Sequence, residues 1–118
     1  MLTSEQKAIE AARAADDRKA VDIRIMDMRT TLCITDYFVI CSGNSERQVR
    51  RIEDAIEERL RDKGFKPARR EGLKSGRWIL LDYLDFVVHV FMQEDRLFYN
   101  LEHLWQDVPF VEWRPDPA

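Results

Sequence analysis

The sequence predicts an α+β fold, α/β in the broad sense: a mixed β-sheet flanked by helices. Three observations carry that expectation. Val21, Ile23 and Ile25 alternate with Asp22 and Arg24, the two-residue period of a half-buried strand. Val49, Ile52, Ile56 and Leu60 recur at intervals of three and four, which gives a helix one apolar face. Two apolar blocks, residues 78–83 and Phe86–Met92, meet at Asp82-Tyr-Leu-Asp85, whose aspartates suit a turn between strands.

Taken in order, residues 4 to about 19 form a helix: Thr3-x-x-Gln6 has the capping-box pattern, and the body is rich in Ala, Glu, Lys and Arg. Its apolar face is thin, mainly Ile9 with several alanines. The strand at Val21–Ile25 follows. Residues 36–42, Asp-Tyr-Phe-Val-Ile-Cys-Ser, lack alternation and read as a strand buried on both faces, placed centrally in the sheet. Ser45-x-x-Gln48 is a second capping pattern, and the helix it opens leaves Arg47, Arg50, Arg51, Glu57 and Arg61 in water. Gly64 suits the left-handed position after a helix. An edge strand starts at Pro67, Gly72 and Gly76 bracket a turn, and the two C-terminal strands follow. Leu97, Phe98, Leu101, Leu104 and Trp105 mark the buried stripe of a last helix, which the prolines at 109, 115 and 117 cannot extend. The expected order is α-β-β-α-β-β-β-α.

A chain of 118 residues suits one domain with a single core. With 45% hydrophobic and 35% charged residues it has the apolar surface that disordered chains lack. The net charge of −3 argues against wholesale binding to phosphate backbones, which depends on many cations displacing counterions. Cys33 and Cys41 belong to no C-x-x-C or Cys/His cluster, so no disulfide framework, metal or cofactor is expected and a reducing cytoplasm fits. The first twenty residues carry acids and no long apolar run, so they read as mature soluble protein and as neither signal, transit peptide nor membrane span.

The candidates for chemistry weigh mostly towards structure. His89 alternates with Val88 and Val90 inside a strand, where a hydrogen-bonded structural imidazole is the expectation, and His103 reads as a surface residue. A nucleotidyltransferase would use a Gly-Ser loop, here Gly43 and Ser45, with two metal-binding carboxylates, here Asp82 and Asp85. Carboxylates two apart share a strand face, whereas these stand three apart across a turn and read better as hairpin residues. The basic residues Lys63, Lys66, Arg69, Arg70, Lys74 and Arg77 could touch RNA but lack interleaved aromatics, and charges of this kind also guard sheet edges. Trp78, Tyr83 and Tyr99 are the large amphipathic rings that anchor protein interfaces, or fill cores.

Three separated segments in order resemble the ribosomal silencing factor family, also called Iojap-like: residues 36–48 (DYFVICSGNSERQ), 78–91 (WILLDYLDFVVHVF) and 96–105 (RLFYNLEHLW). The resemblance covers about residues 4–105, giving a single domain over 1–105 and a proline-containing tail over 106–118 with no assigned role. It implies a nucleotidyltransferase-like fold without transferase activity. It further implies binding to the large ribosomal subunit through its ribosomal protein fourteen, at the face where the small subunit docks, which represses translation under nutrient limitation and touches on subunit assembly. The partner surface expected at the matching positions is Trp78 and Tyr99 as anchors, Tyr83 as rim or second anchor, and Asp82 and Arg96 as registering charges. In the plainer alternative Trp78 and Tyr83 fill the core and Arg96 pairs with Glu94 or Asp95. Ribosomal RNA is a peripheral contact at most, no membrane is implied, and a homodimer through Phe86–Met92 or an exposed sheet edge is a further expectation.

Overall fold

The computed structural model describes the backbone of residues 2–31, 35–99, 103 and 107–117, and their side chains except those of residues 97–99. Its elements are α1 (Ser4–Asp17), β1 (Val21–Asp27), β2 (Tyr37–Gly43), α2 (Glu46–Asp62), β3 (Arg69–Glu71), β4 (Trp78–Asp82), β5 (Phe86–Met92) and α3 (Gln93–Tyr99). The five strands form one sheet in the order β1-β2-β5-β4-β3. The β2–β5 pair is parallel and the other three pairs are antiparallel, so the sheet is mixed. β2 lies inside the sheet and is buried along its whole length, as its unbroken apolar run requires, although β5 takes the middle position.

Helices α1 and α2 cover one sheet face. Tyr37, Val39 and Cys41 of β2, Ile79 and Leu81 of β4, and Phe86, Val88 and Val90 of β5 point into that core. From α2 come Val49, Ile52, Ile56 and Leu60. From α1 come five alanines, Ala8, Ala11, Ala12, Ala14 and Ala15, while Ile9 is only partly buried. The small side chains let α1 lie close to α2 and the sheet, so the thin face is the packing face itself. Alternate residues, Met26, Phe38, Ile40 and Phe91, point to the other face, where Val108 and the partly buried Trp78 and Val87 pack with them among the described residues.

The Thr3–Gln6 capping box is complete: Thr3 Oγ1 accepts from Gln6 N and Gln6 Oε1 accepts from Thr3 N. At α2 the box is opened by one residue. Ser45 Oγ accepts from Gln48 N, but Gln48 Oε1 accepts from Asn44 N, and its Nε2 donates to the carbonyls of Arg18 and Lys19. Gln48 thereby ties the start of α2 to the end of α1.

Several expectations change. Glu57 is buried together with Glu53 instead of standing in water, and its carboxylate accepts from Arg70 Nε of β3 at 2.8 Å. The last helix begins at Gln93, and its apolar stripe at Leu97, Phe98, Leu101, Leu104 and Trp105 lies outside the described side chains. Residues beyond 108 run along β1: Pro109 O accepts from Asp27 N, Val111 N donates to Ile25 O, and Phe110 bridges Met26. Asp116 then meets both guanidinium nitrogens of Arg59 at 2.6 and 2.8 Å, so the tail straps the β1 edge to α2.

Candidate protein-docking face

The partly open sheet face is the candidate site. On β4 it presents Trp78, Leu80 and Asp82, because residues two apart share a face. Trp78 lies half-buried against Phe91, with ring centroids 4.7 Å apart, and donates from Nε1 to His89 Nδ1 at 3.2 Å. Phe38 meets the same imidazole edge-on at 4.8 Å. His89 is therefore held by its neighbours, as a structural histidine in a strand should be, and burial lowers its pKa to about 4. The ring is neutral at physiological pH.

Beside His89 the face sinks into a half-open cleft of about 280 Å³. Phe38, Leu80, Leu84 and Val87 form its apolar walls, Thr35 and His89 its polar lining, and Arg69 and Asp82 stand at its mouth. Leu84 is two-thirds exposed at the cleft wall. It sits at a positive φ of 75°, in the turn that Asp82 closes by accepting from Leu84 N at 2.8 Å.

Of the five expected partner residues, the four whose side chains are described do not share one face. Trp78 and Asp82 share the open face. Tyr83 points the other way, stacks on Phe86 at 4.7 Å and lies buried near Glu57 and Glu53; burial first, and then those carboxylates, push its hydroxyl pKa up. Arg96 is buried at the end of the sheet, where Nη1 donates to Ser42 Oγ at 2.9 Å and to Val21 O at 3.3 Å. The expected partners of Arg96, Glu94 and Asp95, are taken by Arg77, at 2.5 and 2.9 Å. The backbone of Tyr99 ends α3, and its side chain lies outside the described ones. Sequence reasoning missed Thr35, Phe38, Leu80 and Leu84; an apolar leucine between two turn aspartates was the one available signal.

The other chemical candidates are held apart. Asp82 turns to Arg69 and the Leu84 amide, while Asp85 pairs with Lys7 on the α1 side at 3.1 Å, so the two carboxylates face different partners. Ser42 accepts from Arg96 in the interior, and Ser45 is spent on capping α2. Among the described residues no group of three His, Cys, Asp or Glu side chains is placed to hold a metal. Four of the six basic residues singled out are ion-paired within the chain: Lys63 with Glu10, Arg69 with Asp82, Arg70 with Glu57 and Arg77 with Glu94 and Asp95. Cys41 is buried, with its thiol pKa pushed up to about 12, whereas Cys33 lies outside the described residues.

Fold and face together define a small α+β domain that packs two helices on one side of a mixed sheet and, among the described residues, carries an apolar cleft on the other. Residues 1–117 match the family model described as ribosomal silencing factor during starvation, RsfS. The chain is 43% identical to the ribosomal silencing factor RsfS of Bacillus subtilis over 102 residues, 86% of each protein. It is 36% identical to the chloroplastic protein Iojap of Zea mays over 108 residues, 89% of this chain and 46% of that one. A crystal structure of a protein from Bacillus halodurans is similar at a TM-score of 0.77 and 41% identity, covering 87% of this chain and 93% of the other. The chain belongs to the ribosomal silencing factor family, and the match runs through the tail.

Proposed function

We propose that this protein binds the large ribosomal subunit through ribosomal protein fourteen and blocks subunit joining by occupying the docking face of the small subunit. Its mechanism is competition between binding equilibria in the cytoplasm, with no bond made or broken and no cofactor. Membership of a ribosomal silencing family supports the ribosome as target. The observation that carries the docking mode is the open sheet face, where half-buried Trp78 adjoins an apolar cleft rimmed by charges. That is the arrangement of an interface hot spot. Trp78 and Tyr99 serve as anchors and Asp82 as the registering charge. Tyr83 and Arg96 contribute to the surface from beneath it, by holding the β4–β5 turn and the start of α3. Subunit assembly is a second use of the same contact, and a homodimer would be read as a doubled mass in light scattering at several concentrations.

The test is sedimentation of the protein with large subunits, followed by addition of small subunits. Co-sedimentation with fewer joined ribosomes is expected. Trp78→Ala should weaken binding at least about tenfold, the scale of a hot-spot aromatic, while the unfolding transition remains cooperative. Asp82→Asn keeps the oxygen that caps the turn and should slow association at low salt. Joining that proceeds undisturbed at saturating protein would sink the proposal.

A further inference from the structure

Two buried polar atoms on the open face have no hydrogen-bond partner among the described residues: Nε2 of His89 and Oγ1 of Thr35. Both residues line the cleft, and both are more than nine-tenths buried, at 5% and 6% exposure. The bond from Trp78 Nε1 decides the imidazole tautomer. Nδ1 is the acceptor, so the neutral ring carries its hydrogen on Nε2. Trp78 lies opposite Phe91, two residues beyond His89, whereas the cleft is lined by Val87, two residues before it. His89 thus sits between its Trp78 partner and the cleft, with Nε2–H as the unpartnered edge of the ring, and the Thr35 hydroxyl, also without a partner, belongs to the same cleft lining. Native proteins seldom leave such donors without an acceptor, because removing them from water goes uncompensated.

The surroundings specify the missing acceptor. Phe38, Leu80, Leu84 and Val87 ask for an apolar body. At the mouth Arg69 and Asp82 stand 3.4 Å apart and balance each other, so an anionic acceptor would meet the Asp82 carboxylate with no surplus cation to hold it. A neutral carbonyl fits. We propose that this cleft receives an aliphatic side chain of the docked protein partner together with its flanking backbone carbonyls, which accept from His89 Nε2–H at one end of the cleft and from Thr35 Oγ1–H at the other. The inference rests on the docking role proposed above and names the chemistry that the partner must present. Both donors lie below the surface, and the exposed Leu84 side chain is part of the cleft wall.

The test pairs affinity with stability, using purified bacterial large ribosomal subunits as the probe. Thr35→Val removes the hydroxyl at nearly constant shape, so the free protein should unfold at a higher temperature while binding weakens about fivefold to tenfold. His89→Asn keeps an oxygen where Nδ1 accepts from Trp78 and loses the far donor; its affinity should fall about tenfold. Groups with only a structural role would move the unfolding midpoint and leave affinity within about twofold, which overturns the inference. Wild-type protein that binds while Trp78→Ala fails, with these two variants binding normally, overturns the inference alone. Wild-type protein that does not bind overturns the docking role and the inference together.

Discussion

Glu53 and Glu57 are neighbours one turn apart on α2, yet only Glu57 has a guanidinium beside it, that of Arg70. Burial, and then the adjacent Glu57 carboxylate, raise the pKa of Glu53 well above the carboxylate range. An acid whose pKa is raised on folding keeps its proton in the fold after the unfolded chain has lost it, so stability falls as pH rises above the usual carboxylate range. Glu53→Gln should therefore raise the unfolding midpoint at pH 7–8 and change it little near pH 4, in thermal melts across that range. His89 has the opposite sign. Its pKa is lowered to about 4 in the fold, so the unfolded chain gains a proton first as pH falls through 6.5 and stability declines until about pH 4. The difference between wild type and His89→Asn in denaturant titrations should show a loss of up to about 3 kcal/mol over that interval, absent in the variant. Glu57 itself was misread as wet because helical period marks a flank without naming what covers it. Its cover, Arg70, comes from β3, on the other side of a loop.

Elements with a strong local period were legible in the sequence: α2 from its apolar spacing, the β4–β5 hairpin from its turn residues, β2 from its unbroken apolar run. The cap of α1 was equally legible because Thr3 and Gln6 complete it within four residues. Thr3→Ala should cost about 1 kcal/mol in a denaturant melt. The candidate site was legible only in part. Trp78 and Asp82 fall on one face by strand alternation, but Thr35 and His89 line one cleft because β2 and β5 pair in parallel, a long-range register that no local pattern encodes. The turn before β4 shows how an element holds the site. Gly72 has a φ of +82°, and a methyl group there would stand 1.9 Å from the Trp78 carbonyl oxygen. Gly72→Ala is expected to destabilise the protein by more than about 1 kcal/mol and to weaken ribosome binding by displacing Trp78, read by calorimetry and sedimentation in parallel.

At the scale of the molecule, the tail changes the sheet boundary. β1 would be an open edge, and residues 109–111 cover it with backbone hydrogen bonds before Asp116 clasps Arg59. Three prolines suggest an irregular tail to sequence reasoning, yet proline is compatible with an edge, where a missing amide faces outward. Val111→Pro would delete the amide that bonds to Ile25 O. It should free the edge and promote self-association, seen as a rising mass in light scattering, whereas a purely decorative tail would leave the mass unchanged. The β2–β5 pairing has a consequence for the order of events in the life of the chain. Tyr37 must find Phe86, with α2, β3 and β4 all lying between them. Closing so long a loop is slow, while the β4–β5 hairpin and the α2 turn form quickly from neighbours. During synthesis β2 therefore waits with a vacant side until β5 has left the exit tunnel. A member of a ribosomal silencing family thus completes its own sheet only after the ribosome making it has let go of β5.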